Sequence, residues 1–136
     1  MSKGEIVVID DSYVILERIR THLRAEGYEV YVTTAATSAS VRIRTADLAI
    51  IDFHMPGVDG GQMLELLREA APADSACLYY LYTSDREAAA RYQQYGFDGA
   101  FLRKGEEAAL VAQVAAVFRT ISLRKLARKL REERLR

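Results

Sequence analysis

Five short apolar runs alternate with amphipathic helical stretches along this 136-residue chain, predicting an α/β fold: a doubly wound, five-stranded parallel sheet of the flavodoxin-like (βα)5 type. Two further observations support it. Acidic residues close two of the runs, as Ile6-Val7-Val8-Ile9-Asp10-Asp11 and Leu48-Ala49-Ile50-Ile51-Asp52. The last helical stretch continues unbroken by Pro or Gly to the end of the chain, so the fold should carry an extended C-terminal helix.

The predicted strands are Ile6 to Ile9, Val30 to Thr33, Leu48 to Ile51, Leu78 to Tyr82 and Ala100 to Leu102. The first helix follows Ser12 as N-cap, shows Leu16, Ile19 and Leu23 on one face, and stops at Gly27. The second, near Thr37 to Arg44, is weakly patterned. The third runs from about Gly61 through Met63, Leu64 and Leu67 to a stop at Pro72. The fourth opens on Ser84-Asp85-Arg86-Glu87, which fits a capping box with Ser84 as N-cap, and should end at Gly96. The fifth starts near Glu106 and, if continuous to Arg136, reaches roughly 45 Å, past a body only about 30 Å across.

Composition narrows the function classes. Half the residues are hydrophobic and there is no low-complexity segment, which excludes disorder. No apolar run approaches the roughly 20 residues that span a bilayer, and no signal-peptide pattern precedes the first strand, so a cytoplasmic protein without membrane contact is expected. Cys77, the single cysteine, lies in an apolar run and is expected to be a small core residue. His22 is expected at the surface, and Tyr79, Tyr80 and Tyr82 as strand packing. The zero net charge conceals a split: residues 118 to 136 carry a net +6, and the preceding body −6. The expected organisation is a domain over residues 1–120 and a basic helical extension over 121–136. On that extension Leu123, Leu126 and Leu130 form a narrow stripe suited to a short coiled coil or a docking helix, a fraying solvated tail being the alternative.

In a doubly wound sheet, ligands bind at the carboxyl ends of the strands, beside the point where strand order reverses. Asp10, Asp11 and Asp52 should converge there, with Thr83 after the fourth strand and Lys104 beyond the fifth. Like charges about 4 Å apart near a surface repel by roughly 4 kcal/mol, so a cation is required. Magnesium, which takes oxygen ligands and keeps its own waters, suits Asp10, Asp11 and Asp52. Asp52 is also a competent carboxylate nucleophile toward phosphorus, with Lys104 and the Thr83 hydroxyl able to bind phosphoryl oxygens.

With these motifs in the order Asp10-Asp11, Asp52-Phe53-His54-Met55-Pro56-Gly57, Thr83-Ser84 and Lys104, the chain resembles the receiver domains of two-component response regulators over residues 5 to about 120. The resemblance implies that Asp52 is the phospho-acceptor, that the His54 backbone carbonyl completes the magnesium shell, and that Phe101 is a switch aromatic swinging inward as Thr83 moves. It implies a histidine kinase or phosphotransfer protein as phosphodonor, and a signalling domain with autodephosphorylation rather than a classical enzyme. The surface between the fourth and fifth helices, or the C-terminal helix, would serve a homodimer or output partner; direct nucleic-acid binding is not expected. His54 and Asp85 occupy positions that, by the same resemblance, set how fast water removes the phosphoryl group. Gly105 stands where such domains usually have a cis proline, and a trans Lys104-Gly105 bond is expected, since a non-proline cis bond costs about 3 kcal/mol. The alternative carried forward is a receiver-like interaction module that is not phosphorylated; a haloacid-dehalogenase-type phosphatase, which would want a second acid two residues after the nucleophile, is set aside because His54 stands there.

Overall fold

A computed structural model of the chain describes residues 2–135. Arg136, counted in the basic tail, lies outside the described residues. The elements are β1 (Glu5–Ile9), α1 (Tyr13–Ala25), β2 (Glu29–Thr33), α2 (Ala36–Arg42), β3 (Leu48–Ile51), β4 (His54–Met55), β5 (Val58–Asp59), α3 (Gly60–Ala70), β6 (Leu78–Tyr82), α4 (Arg86–Ala90), β7 (Gly99–Phe101) and α5 (Glu107–Arg134). Five parallel strands form the main sheet in the order β2-β1-β3-β6-β7. Strand order reverses between β1 and β3, where Ile9 is registered with Ile51, so Asp10 and Asp52 follow side by side.

Alternation along each strand splits the core into two layers, because successive side chains point to opposite faces. Ile6, Val8, Leu48, Ile50, Tyr82 and Phe101 pack under Leu16, Ile19 and Leu23 of α1 and under Leu110, Val114 and Phe118 of α5. Val7, Ile9, Ala49, Ile51, Tyr79 and Leu81 face Ala39 of α2, Met63, Leu64 and Leu67 of α3, and Ala88 of α4. Each fully buried aliphatic side chain contributes about 1.5–3 kcal/mol, so the central strands anchor the crevice above them. Cys77 is buried, Tyr79 and Tyr82 pack in the sheet, and His22 is exposed, with Nδ1 2.8 Å from the Arg18 carbonyl.

Several boundaries differ from the sequence reading. Helix α4 is capped by Asp85 rather than Ser84: the Asp85 carboxylate accepts from the Ala88 N–H at 3.0 Å. It ends at Ala90 rather than near Gly96, and turns fill the interval. Helix α3 starts one residue earlier than expected, held by a capping box between Asp59 and Gln62. Strand β7 ends at Phe101, leaving Leu102 exposed, and α2 spans Ala36–Arg42 with no side-chain cap. The two-residue ribbon β4–β5 was not anticipated. Helix α5 runs without a break across residues 120 and 121, with Ile121 its last buried residue. Lys125, further along, is tied at 3.0 Å to Asp47, which also accepts the Glu5 N–H at 2.9 Å.

Candidate functional site

The crevice is assembled from four strand ends. Asp10 follows β1 and is buried; one carboxylate oxygen accepts the Ser12 N–H at 2.9 Å, and the other accepts from the Lys104 ammonium at 2.7 Å. Asp52 follows β3, also buried, with its oxygen 2.9 Å from the same ammonium. Asp11 is exposed at the rim. One carboxylate oxygen from each of Asp10, Asp11 and Asp52 lies within 4.8 Å of the others. Thr83, buried after β6, accepts the Asp85 N–H on its hydroxyl at 3.1 Å. The structure therefore brings Asp10, Asp11, Asp52 and Lys104 together, with Thr83 at the adjoining strand end.

The electrostatics are those of a site short of positive charge. Burial pushes the Asp10 carboxyl above its ordinary value and the neighbouring Asp52 charge adds to this, while Lys104 and the Ser12 N–H pull the other way without cancelling it. Burial works against the Lys104 charge, but its hydrogen bonds to Asp10 and Asp52 outweigh that and hold its pKa above the usual lysine value. One ammonium among three carboxylates leaves room, chemically, for a hard oxygen-seeking cation.

Beyond β7, Arg103 adopts a left-handed conformation (φ 63°) and Gly105 another (φ 97°). No cis peptide bond occurs among the described residues, so Lys104-Gly105 is trans as expected. The Gly105 N–H donates to the Tyr82 hydroxyl at 3.1 Å, a bond that proline could not make. A tyrosine at the end of β6 thus holds the lysine loop, a role the strand pattern of Tyr82 did not disclose.

Phe101 lies inward, buried and stacked on Tyr80 with ring centroids 4.6 Å apart. His54 and Asp85, noted separately in the sequence, meet beyond the ends of β3 and β6: Nε2 lies 2.6 Å from the Asp85 carboxylate. The Ala88 N–H and then His54 hold the Asp85 carboxyl below its usual range. No local spacing signals this pair, since 31 residues separate its members.

Fold and site together define a flavodoxin-type α/β signalling architecture, with an acidic, lysine-buttressed crevice at the topological switch point. The chain belongs to the response regulator receiver domain family, whose model matches residues 6–115. It is 28% identical over 118 residues to the phosphate regulon transcriptional regulatory protein PhoB of Rhizobium meliloti, covering 85% of this chain and 52% of that protein. It is 29% identical over 121 residues to the DNA-binding response regulator MtrA of Mycobacterium tuberculosis, covering 86% of this chain and 51% of that one. The chain spans about half the length, or less, of the curated relatives it matches. Its fold matches that of a Francisella response regulator receiver domain with a TM-score of 0.71 at 21% identity, covering 87% of this chain and 98% of that one. Receiver domains are signalling domains of two-component systems rather than classical enzymes. Among the described residues, no helix is long and apolar enough to cross a membrane.

Proposed function

We propose that this chain accepts a phosphoryl group on Asp52 from a histidine kinase or phosphotransfer protein and thereby switches an output surface. The observation that carries the reading is the shared ammonium of Lys104, which touches both Asp10 and Asp52 in a buried pocket at the switch point of the sheet. An Asp52 carboxylate oxygen attacks the phosphorus of the phosphohistidine; the phosphorus–nitrogen bond breaks and the imidazole leaves with the bonding pair. Lys104 is then placed to exchange a carboxylate contact for a phosphoryl oxygen, and the Thr83 hydroxyl, which accepts the Asp85 N–H on a lone pair, can donate its own proton to another. Asp10, Asp11, Asp52 and the His54 backbone carbonyl are the groups that would hold magnesium. Bound there, the ion would offset the charge of carboxylates and phosphoryl oxygens. The inward Phe101 ring is the element expected to report the movement of Thr83.

The test is intact-mass analysis after incubation with magnesium and acetyl phosphate. The expected result is a gain of one phosphoryl group, absent in Asp52→Asn. No gain, or a gain that survives the substitution, would favour the unphosphorylated interaction module instead.

His54 and Asp85 occupy the two positions that, by the family resemblance, set the rate of hydrolysis, and the 2.6 Å bridge between them makes them one unit. His54→Ala and Asp85→Ala are each expected to change the lifetime of the phosphorylated form by about three- to tenfold in the same direction, and the double variant no further. Strictly multiplicative effects in that cycle would show that the pair does not act as a unit.

A further inference from the structure

Helix α5 has two apolar faces, and only one of them is used by the fold. Leu110, Val114, Val117 and Ile121 are buried against the sheet. On the opposite side, at successive spacings of four, three, four, four, three and four, lie Ala108, Ala112, Ala115, Arg119, Leu123, Leu126 and Leu130. The three leucines are 67%, 52% and 48% exposed, although each is large enough to favour burial. The face is small in its first half and large in its second. Beside its middle, Tyr28, Ala115, Phe118, Leu123 and Leu126, with Lys3, line a largely apolar groove of about 570 Å³.

We infer that this face pairs with the same face of a second copy of the chain, the two α5 helices running antiparallel about a two-fold axis at Arg119. That register sets Leu123 opposite Ala115, Leu126 opposite Ala112 and Leu130 opposite Ala108, each large residue meeting a small one. The helical stretch involved, residues 108 to 130, is about 34 Å long. A two-fold contact of this kind is self-complementary, so one surface serves both partners.

Charge selects the antiparallel arrangement. Parallel pairing would place two +6 tails side by side. Antiparallel pairing separates the two tails and carries Lys129, Arg131 and Arg134 to the partner's α5 start, where the exposed Glu106 is met only by Arg103, at 3.8 Å, and the −6 body begins. The two Arg119 side chains at the axis are the one repulsive element, and their long stems allow the guanidinium groups to turn out to water. This pairing does not depend on phosphorylation of Asp52.

Cysteine cross-linking tests the register. Positions 112 and 126 are exposed, so Ala112→Cys and Leu126→Cys should fold normally, and the native Cys77 is buried with its thiol pushed up to about 12, mainly by burial. Under a mild thiol oxidant, disulfide-linked dimer is expected only when the two variants are mixed, because a bridge needs Cα atoms roughly 4.4–6.8 Å apart. Linkage in Leu126→Cys alone would overturn the proposal in favour of a parallel coil. A monomeric solution mass for the unmodified chain by sedimentation equilibrium, with no mixed cross-link, would also overturn it. Leu126→Asp should weaken association about tenfold or more, Arg119→Leu should tighten it, and higher salt should weaken it.

Discussion

Replacing Lys104 with alanine is expected to destabilise the fold by about 3–5 kcal/mol in metal-free buffer at neutral pH, since removing one partner of a buried ion pair strands the other charges. The stranded groups are Asp10 and Asp52, both buried and both in direct contact with the ammonium. The side chain of Lys104 is only 9% exposed, so solvent offers little screening. The sign with pH follows from the raised Lys104 pKa: its contribution is full below the ordinary lysine value and is lost as pH rises through the higher folded value. Asp10 behaves differently. Its carboxyl is raised by burial, and removing Lys104 takes away two influences that lower it, so protonation relieves the folded variant and the penalty in Lys104→Ala should shrink as pH falls through the still higher value Asp10 takes there. Adding Asp10→Asn to the variant should recover part of the loss, and excess magnesium should recover part of it in Lys104→Ala. Urea denaturation measures all four states; a loss below about 1 kcal/mol, or indifference to magnesium, would contradict the charge-deficit view of the crevice.

Phe101→Ala should cost about 3–5 kcal/mol, the range for emptying a large aromatic site in a packed core. The ring stacks on Tyr80 and meets Tyr82 edge-on at 6.5 Å between centroids, so aromatic contacts are lost along with apolar burial. The experiment also asks where the ring spends its time. An inward ring gives the full loss, whereas a ring that lies mostly outward in solution would make its removal cheap. A loss under about 1 kcal/mol would therefore show that the inward position is not the resting state. Comparing the same variant with Asp52 phosphorylated separates the two states of the switch.

The sheet and its acidic corner were legible because they depend on local signals. Val7, Val8 and Ile9 or Ala49, Ile50 and Ile51 read, by their short length and β-branched content, as strands buried on both faces, and a strand of that kind delivers the next residue to the sheet edge. Asp10, Asp52, Thr83 and Lys104 were placed by that logic alone, and all four lie at the strand ends described. The errors fell where competing local interactions decide. Ser84 and Asp85 are both good caps, but the Thr83 hydroxyl takes the Asp85 N–H and leaves the Asp85 carboxylate to cap the helix. The ribbon of His54–Met55 with Val58–Asp59 has too few residues for any period to show. The meeting of His54 with Asp85 and of Tyr82 with Gly105 is tertiary, set by how β3, β6 and β7 stand side by side, and no spacing in the chain encodes it.

The hydrogen bond from Gly105 to Tyr82 also gives the domain an optical gauge. The chain has eight tyrosines and no tryptophan, so its near-ultraviolet absorption is tyrosine-dominated. The Tyr82 phenol accepts the Gly105 N–H, and its ring centroid lies 5.7 Å from the Lys104 ammonium. Burial holds that phenol above its ordinary pKa, with the Gly105 bond opposing only in part, so it stays neutral throughout any practical assay. Movement of the lysine loop changes both the hydrogen bond and the electric field at one chromophore. Difference absorption at the tyrosine band, with Tyr82→Phe as the blank, can therefore follow the crevice in real time without an added label.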